Sequence, residues 1–307
     1  MGRESEKMFK ELQRFLELHT DEISDKDDMN RLTNQFLSEY GMQDQDDTAP
    51  ETADDYLELA EQARSDKKCI EYLRKALELE PDNVDAQLQL IILTHKDKED
   101  EQLAELQSLK EAAAKPLEQE GFFRDDIGSF WTLWETRPYM RVCHTYFETL
   151  ISCGMMRRAI DEGRRLLELC ENDNLGVRYQ LMHLYAYMED ELQALALHRK
   201  YDSYEETQML LPLAVLYYKM NQFEKAENYI KRLAAVNKDT KKFLRAATTN
   251  RLEEHIFNMS PYGYQPFSIE ELIEELMSCG YLFGSAPYFF QWAYKCLRSS
   301  SATGKKK

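Results

Sequence analysis

Six histidines and six cysteines are the side chains through which this chain could hold a metal or attack a substrate. Their spacing favours neither. His19, His95, His144, His183, His198 and His255 form no HExxH or HxH pair, the spacings that bring two imidazoles to one ion. Cys143 and His144 are neighbours, which on a helix sends them to different sides, so no thiolate–imidazole dyad is expected. Cys69, Cys143, Cys153, Cys170, Cys279 and Cys296 contain no CxxC pair and read as small apolar groups, reduced and intracellular. With 11 glycines and no GxxxxGK[ST], GxGxxG or GxSxG segment, the chain has few places to cradle a phosphate or raise a nucleophile. Glu270, Glu271, Glu274 and Glu275 recur at helical spacing and read as a solvated face. The expectation is no enzyme, no cofactor and no metal. A rival reading places an enzyme site in the aromatic C-terminal segment around Tyr262, Tyr264, Tyr281 and Trp292, with His255 and nearby glutamates as acid and base.

Such side chains need elements to hold them, and the pattern is helical throughout. Phe9, Leu12, Phe15, Leu16 and His19 fall at helical spacing; Ser24 as an N-cap, then Met29, Leu32, Phe36, Tyr40 and a closing Gly41 give a second helix. Residues 1–41 therefore form an acidic hairpin. Residues 42–55 are crowded with acids and bury too little to offset ordering, which predicts a flexible linker. Helices continue through 56–128 in degenerate form, repeats fill 129–242, a C-terminal helical cap 243–298 and a disordered tail 299–307. The cap contains SIEELIEELMSCGYLF, whose Ser268 and Glu271 make a capping box.

Charge divides the chain. Residues 1–128 carry 34 acids against 16 bases and residues 129–307 carry 22 against 23, so the net −17 resides in the front part. Nucleic acid is an unlikely partner for such a balance, since duplex binding depends on Lys and Arg replacing phosphate counterions. The longest apolar run, MLLPLAVLYY, is too short to span a bilayer, and MGRESEKMFKEL lacks a signal peptide's apolar core. The expected location is the cytoplasm.

Repetition fixes the fold. YFETLISCGMMRRAIDEGRRLL places Tyr146, Phe147 and Leu150 on one helix, Gly154 in a turn and Ala159 at the start of the next helix. LMHLYAYMEDELQALALHRKY repeats this with Leu181, Met182, Tyr185 and Ala194, and LAVLYYKMNQFEKAENYIKRL with Leu213, Ala214, Tyr217, Asn221 and Ala226. Successive alanines are 35 and 32 residues apart. Upstream, CIEYLRKALELEP supplies Cys69, Leu73, Ala76 and Pro81 in matching order. This order of large, small, aromatic, turn residue and alanine resembles the tetratricopeptide repeat (TPR) over about residues 56–240. The resemblance implies an all-α, right-handed helical solenoid with an N-terminal hairpin and a C-terminal cap. The segment GSFWTLWETRPYMR before the repeats also resembles a bacterial TPR group carrying ETRPYMR, which implies a shared architecture and supplies no activity. Within FWTLWETRPYMR, Thr136 reads as an N-cap, Pro138 fits the first helical turn and Phe130, Trp131 and Trp134 act as a docking wedge, a structural joint in preference to a ligand site.

The resemblance also implies a concave groove lined by the first helix of each pair. Counting along the repeats puts Arg141, His144 and Glu148, then Tyr179, Gln180, His183 and Tyr187, then Leu211, Val215, Tyr218 and Lys219 on that lining. Tyr and Arg there suit a peptide segment, so the predicted function is a protein- or peptide-binding scaffold of unspecified partner. The Lys, Asn, Asn, Lys, Arg set with which some TPR modules grip carboxylate tails is replaced by His144, Glu148, Gln180, Gln208 and Pro212, which disfavours that subtype. Lys231, Arg232, Lys238, Lys241, Lys242 and Arg245 make a basic patch, and an RNA-associated role through it is the second rival reading. The charge division further predicts that the acidic hairpin folds over Arg141, His144 and Lys219 and competes with a ligand.

Overall fold

A computed structural model describes residues 3–23, 25–40, 50–260 and 263–303. The chain divides into two units, the first comprising Met1–Met155 and Glu168–Asn172, the second Met156–Leu167 and Asp173–Lys307. The first contains α1 (Arg3–Leu18), α2 (Lys26–Tyr40), α3 (Ala53–Glu61), α4 (Asp66–Leu79), α5 (Val84–Thr94), α6 (Glu99–Glu120), α7 (Phe122–Asp125) and α8 (Arg137–Ser152). Then follow α9 (Met156–Leu169), α10 (Val177–Met188), α11 (Glu191–Lys200), α12 (Thr207–Lys219), α13 (Phe223–Val236) and α14 (Thr240–Thr248). The C-terminal elements are α15 (Leu252–Ile256), α16 (Ile269–Ser278), α17 (Gly280–Gly284) and α18 (Phe289–Thr303). The fold is an all-α, TPR-like helical repeat, and no strand occurs among the described residues.

Local chemistry starts the helices. Thr52 and Asp55 form a reciprocal capping box on α3, Ser65 accepts from the Lys68 N–H on α4, and Asn83 accepts from the Ala86 N–H on α5. Each cap contributes about 1 kcal/mol by satisfying an orphan donor. The box also corrects the linker expectation at its far end: Ala53 is buried and residues 53–55 already belong to α3. Residues 42–49 of that linker, the Ser24 cap, the closing Gly41 and residues 304–307 of the tail lie outside the described residues. The tail expectation is corrected at 299–303, which continue α18. Small residues then let α3 and α4 approach, with Ala53, Leu57, Ala60, Leu73, Ala76 and Ala86 forming one buried cluster.

The later turns share one backbone solution. Gly154, Glu189 and Asn221 all have positive φ, 70°, 59° and 60°, and each precedes by five residues a fully buried alanine: Ala159, Ala194 or Ala226. The same hydrogen bond closes each helix, from Met155 N to Leu150 O (2.8 Å), Asp190 N to Tyr185 O (2.9 Å) and Gln222 N to Tyr217 O (2.8 Å). These are left-handed helix ends that redirect the chain in about two residues. Glycine suits that conformation, asparagine tolerates it and Glu189 does so at a cost.

The joint before α8 is a series of turns. Phe130 is fully buried, with ring centroids 5.0 Å from Phe123 and 6.3 Å from Tyr139, and its N–H donates to Leu169 O (3.0 Å). Pro138 sits in the first turn of α8, as expected. Thr136 occupies the N-cap position but does not cap: its hydroxyl turns back to donate to the carbonyl oxygens of Phe130 and Leu133. The turn needs that hydroxyl more than the helix does, because those carbonyls lack helical partners.

Candidate functional site

In the first unit the first helices of successive pairs are α3, α5 and α8, and α1 lies against their N-terminal ends. Glu6 and the bases that follow it, Lys7, Lys10 and Arg14, fall along one side of α1. The Glu6 carboxylate accepts from Arg141 Nη1 (3.0 Å) and Nη2 (2.9 Å) and from Arg137 Nη1 (3.3 Å). Arg141 donates on its other side to both oxygens of Asp85, at 2.8 and 2.6 Å. Glu6, Asp85 and Arg137 are buried, so two guanidinium ions and two carboxylates neutralise one another out of water. Burial alone would lower the Arg141 pKa, but the bonds to Glu6 and Asp85 raise it above its ordinary value.

The rest of α1 continues the pattern. Lys7 Nζ lies 2.7 Å from Asp55, Lys10 Nζ 2.9 Å from Asp54, and Arg14 Nη2 2.9 Å from Glu80. Burial pushes the Asp55 carboxyl up, yet the bonds from Lys7, Thr52 and Glu51 outweigh it and bring the pKa down to about 2. Beside this ladder is a cleft of about 590 Å³ where Lys10 and Gln13 face Asp82, Glu120, Trp134 and Tyr139. Of the residues expected on the lining here, Arg141 is engaged by Glu6, and His144 lies on the next turn with Nδ1 3.6 Å from Glu148. Of Arg141, His144 and Lys219, over which the hairpin is expected to fold, Arg141 is the one that Glu6 bonds.

The second unit departs from the expected open groove. His183 is buried, its Nε2 2.6 Å from Glu275 Oε1 on α16. Tyr187 meets Tyr281 of α17 edge to face at 5.4 Å. Tyr218 packs against Phe289 and Trp292 of α18 at 5.5 and 5.1 Å. Lys219 Nζ donates to Ala186 O (3.3 Å) and to Tyr187 O; burial lowers its pKa, opposed by Glu189. Tyr179 donates to Glu206 (3.2 Å) and accepts from Arg178 (2.6 Å), and Gln180 is half-buried on the same helix. The correction is that α16, α17 and α18 cover His183, Tyr187 and Tyr218, because the apolar residues of these helices need a partner surface and α10 and α12 provide one.

The glutamate stripe on α16 is likewise corrected. Glu274 faces solvent, whereas Glu271 and Glu275, one turn apart, are buried. Glu271 accepts from Thr207 Oγ1 (2.6 Å), Asn237 Nδ2 (3.2 Å) and the Phe267 N–H (3.0 Å). It therefore anchors α16 to α12 instead of completing a capping box with Ser268, whose hydroxyl accepts from the Glu270 and Glu271 N–H groups. His183, Glu275 and Cys279 bring ligand-type atoms within 4.8 Å of one another. Cys279 Sγ donates to Glu275 O (3.0 Å), and burial pushes its thiol up.

Burial pushes the Tyr281 phenol up and Trp292 packs among rings, while Tyr264 bonds Gln208; Tyr262 lies outside the described residues. In the basic patch, Lys231 pairs with Glu227 (2.7 Å) and Arg232 with Glu205. No described helix is long and apolar enough to cross a membrane. Sequence reasoning missed Glu6, Asp54, Asp55 and Asp85 as the acids of these ion pairs; the signal available was the run of Glu6, Lys7, Lys10 and Arg14 on one side of a helix. No curated protein matches the chain. The tetratricopeptide repeat family model matches residues 56–83, which cover α4 and most of α3, and residues 207–240, which cover α12 and α13.

Proposed function

We propose that this protein is a non-catalytic scaffold that binds a segment of a partner protein on the face formed by α3, α5 and α8. TPR repeats generally mediate protein–protein interactions, and stacked helical pairs offer extended surfaces for that purpose. The observation that carries the choice of face is Glu6 of α1, held by Arg137 and Arg141, a helix already bound where a partner segment would lie. The counterpart face on α10 and α12 is covered by α16 to α18, with Tyr281 on Tyr187 and buried Phe289 on Tyr218, and is assigned to the fold. A photo-crosslinker placed at Gln87, on the wall of the cleft, is expected to capture a partner protein, and the same group at exposed Glu224 on α13 is not. Equal capture from both positions, or from neither, overturns the reading.

A further inference from the structure

We infer that α1 is a built-in stand-in for the partner's own segment, and that Arg137 and Arg141 form a carboxylate site for a helix carrying an acid followed by bases one and four residues later. This rests on the reading above and specifies its ligand.

The receptor is made before the carboxylate arrives. Arg137 is 2% exposed, and its guanidinium is fixed by Nε donating to Trp131 O (2.8 Å) and Nη2 donating to Thr132 O (3.4 Å). Arg141 is fixed by the fork it makes with Asp85. Neither set of bonds involves α1, so both guanidinium groups are aimed at the Glu6 position by the turn and by α5. Preorganised, charge-assisted donors of this kind select a carboxylate with little ordering cost. Asp55 and Asp54 then stand where Lys7 and Lys10 arrive, which sets the order of charges along the bound helix.

The occupant is exchangeable by the same measure. Among the side chains described in α1, the buried one is Glu6; Met8, Leu12, Phe15 and Leu16 are half-buried, and Phe9 and Leu18 are exposed. Charge pairing thus does the holding, and a partner helix with the same charge order meets the same groups. An α1 from a second copy of the chain is the competing occupant.

The test uses the full-length chain and, as probe, a fluorescein-labelled peptide of residues 3–18. A Glu6→Gln, Lys7→Glu, Lys10→Glu variant loosens its own α1, and circular dichroism checks that its helices persist. This variant is expected to bind the probe about tenfold more tightly than the wild-type chain, whose own α1 competes, and the probe carrying Glu6→Gln to bind about tenfold more weakly. Equal affinity of variant and wild type, indifference to the probe's glutamate, or concentration-dependent dimerisation through α1 overturns the inference. Should the probe fail while the Gln87 crosslinker still captures a partner, the ligand assignment falls and the scaffold reading stands.

Discussion

Two regions of this molecule meet the same requirement, covering the first helices of a repeat, by different physics. On α3, α5 and α8 the cover is α1, held through Glu6, Lys7, Lys10 and Arg14. On α10 and α12 the cover is α16 to α18, held by fully buried Leu272, Ile273 and Phe289 and by the hydrogen-bonded carboxylates of Glu271 and Glu275. Apolar burial is insensitive to salt and costly to reverse, whereas the partly exposed pairs of Lys7, Lys10 and Arg14 weaken with salt and release their groups to water on separation, the buried Glu6 carboxylate being screened less. One cover is therefore part of the core, and the other is a replaceable layer.

The largest expected effect attacks the apolar cover. Phe289→Ala removes a fully buried ring that touches Tyr218, Phe283 and Trp292, and should cost about 3–5 kcal/mol, read as a lowered urea midpoint and lost hydrogen-exchange protection in α18. A loss below about 1 kcal/mol would contradict the contrast between the covers. The ionic cover should instead respond to acid. Asp55 has a depressed pKa, so its contribution is complete above the ordinary carboxylate value of about 3.9 and is lost as pH falls towards about 2. Protection of α1, corrected for intrinsic exchange, should decline across that window, and Asp55→Asn should flatten the decline. The smallest effect concerns a turn common to the repeats: Glu189→Gly relieves a left-handed residue and should stabilise the second unit by about 1 kcal/mol in chemical denaturation, Asn221→Gly giving less.

What the sequence disclosed follows from the range of each interaction. The repeat was legible because Gly154, Asn221 and the alanines that follow them act within a few residues, so their spacing survives in one dimension. The covered face was not. Glu271 and Glu275 have the same helical spacing as a solvated stripe, and only Thr207, Asn237 and His183, 34 to 92 residues away, turn them inward. Arg141 reads from the sequence as a charged group on the first-helix face, but its partners Glu6 and Asp85 are 135 and 56 residues distant. Thr136 shows the converse: the residue type was right for a cap, but the carbonyls of a nearby turn competed for its hydroxyl.

The separation between Glu6 and Arg141 also has a kinetic meaning. At a ribosomal pace of about 5–20 residues per second, Glu6 is made about 7–27 seconds before its arginine partner. Through that interval its acid and bases face solvent or the nascent acidic helices alone. Once residues 137–141 are made, α1 is already tethered nearby, so the chain's own helix has the first chance at the newborn face and any other occupant must displace it.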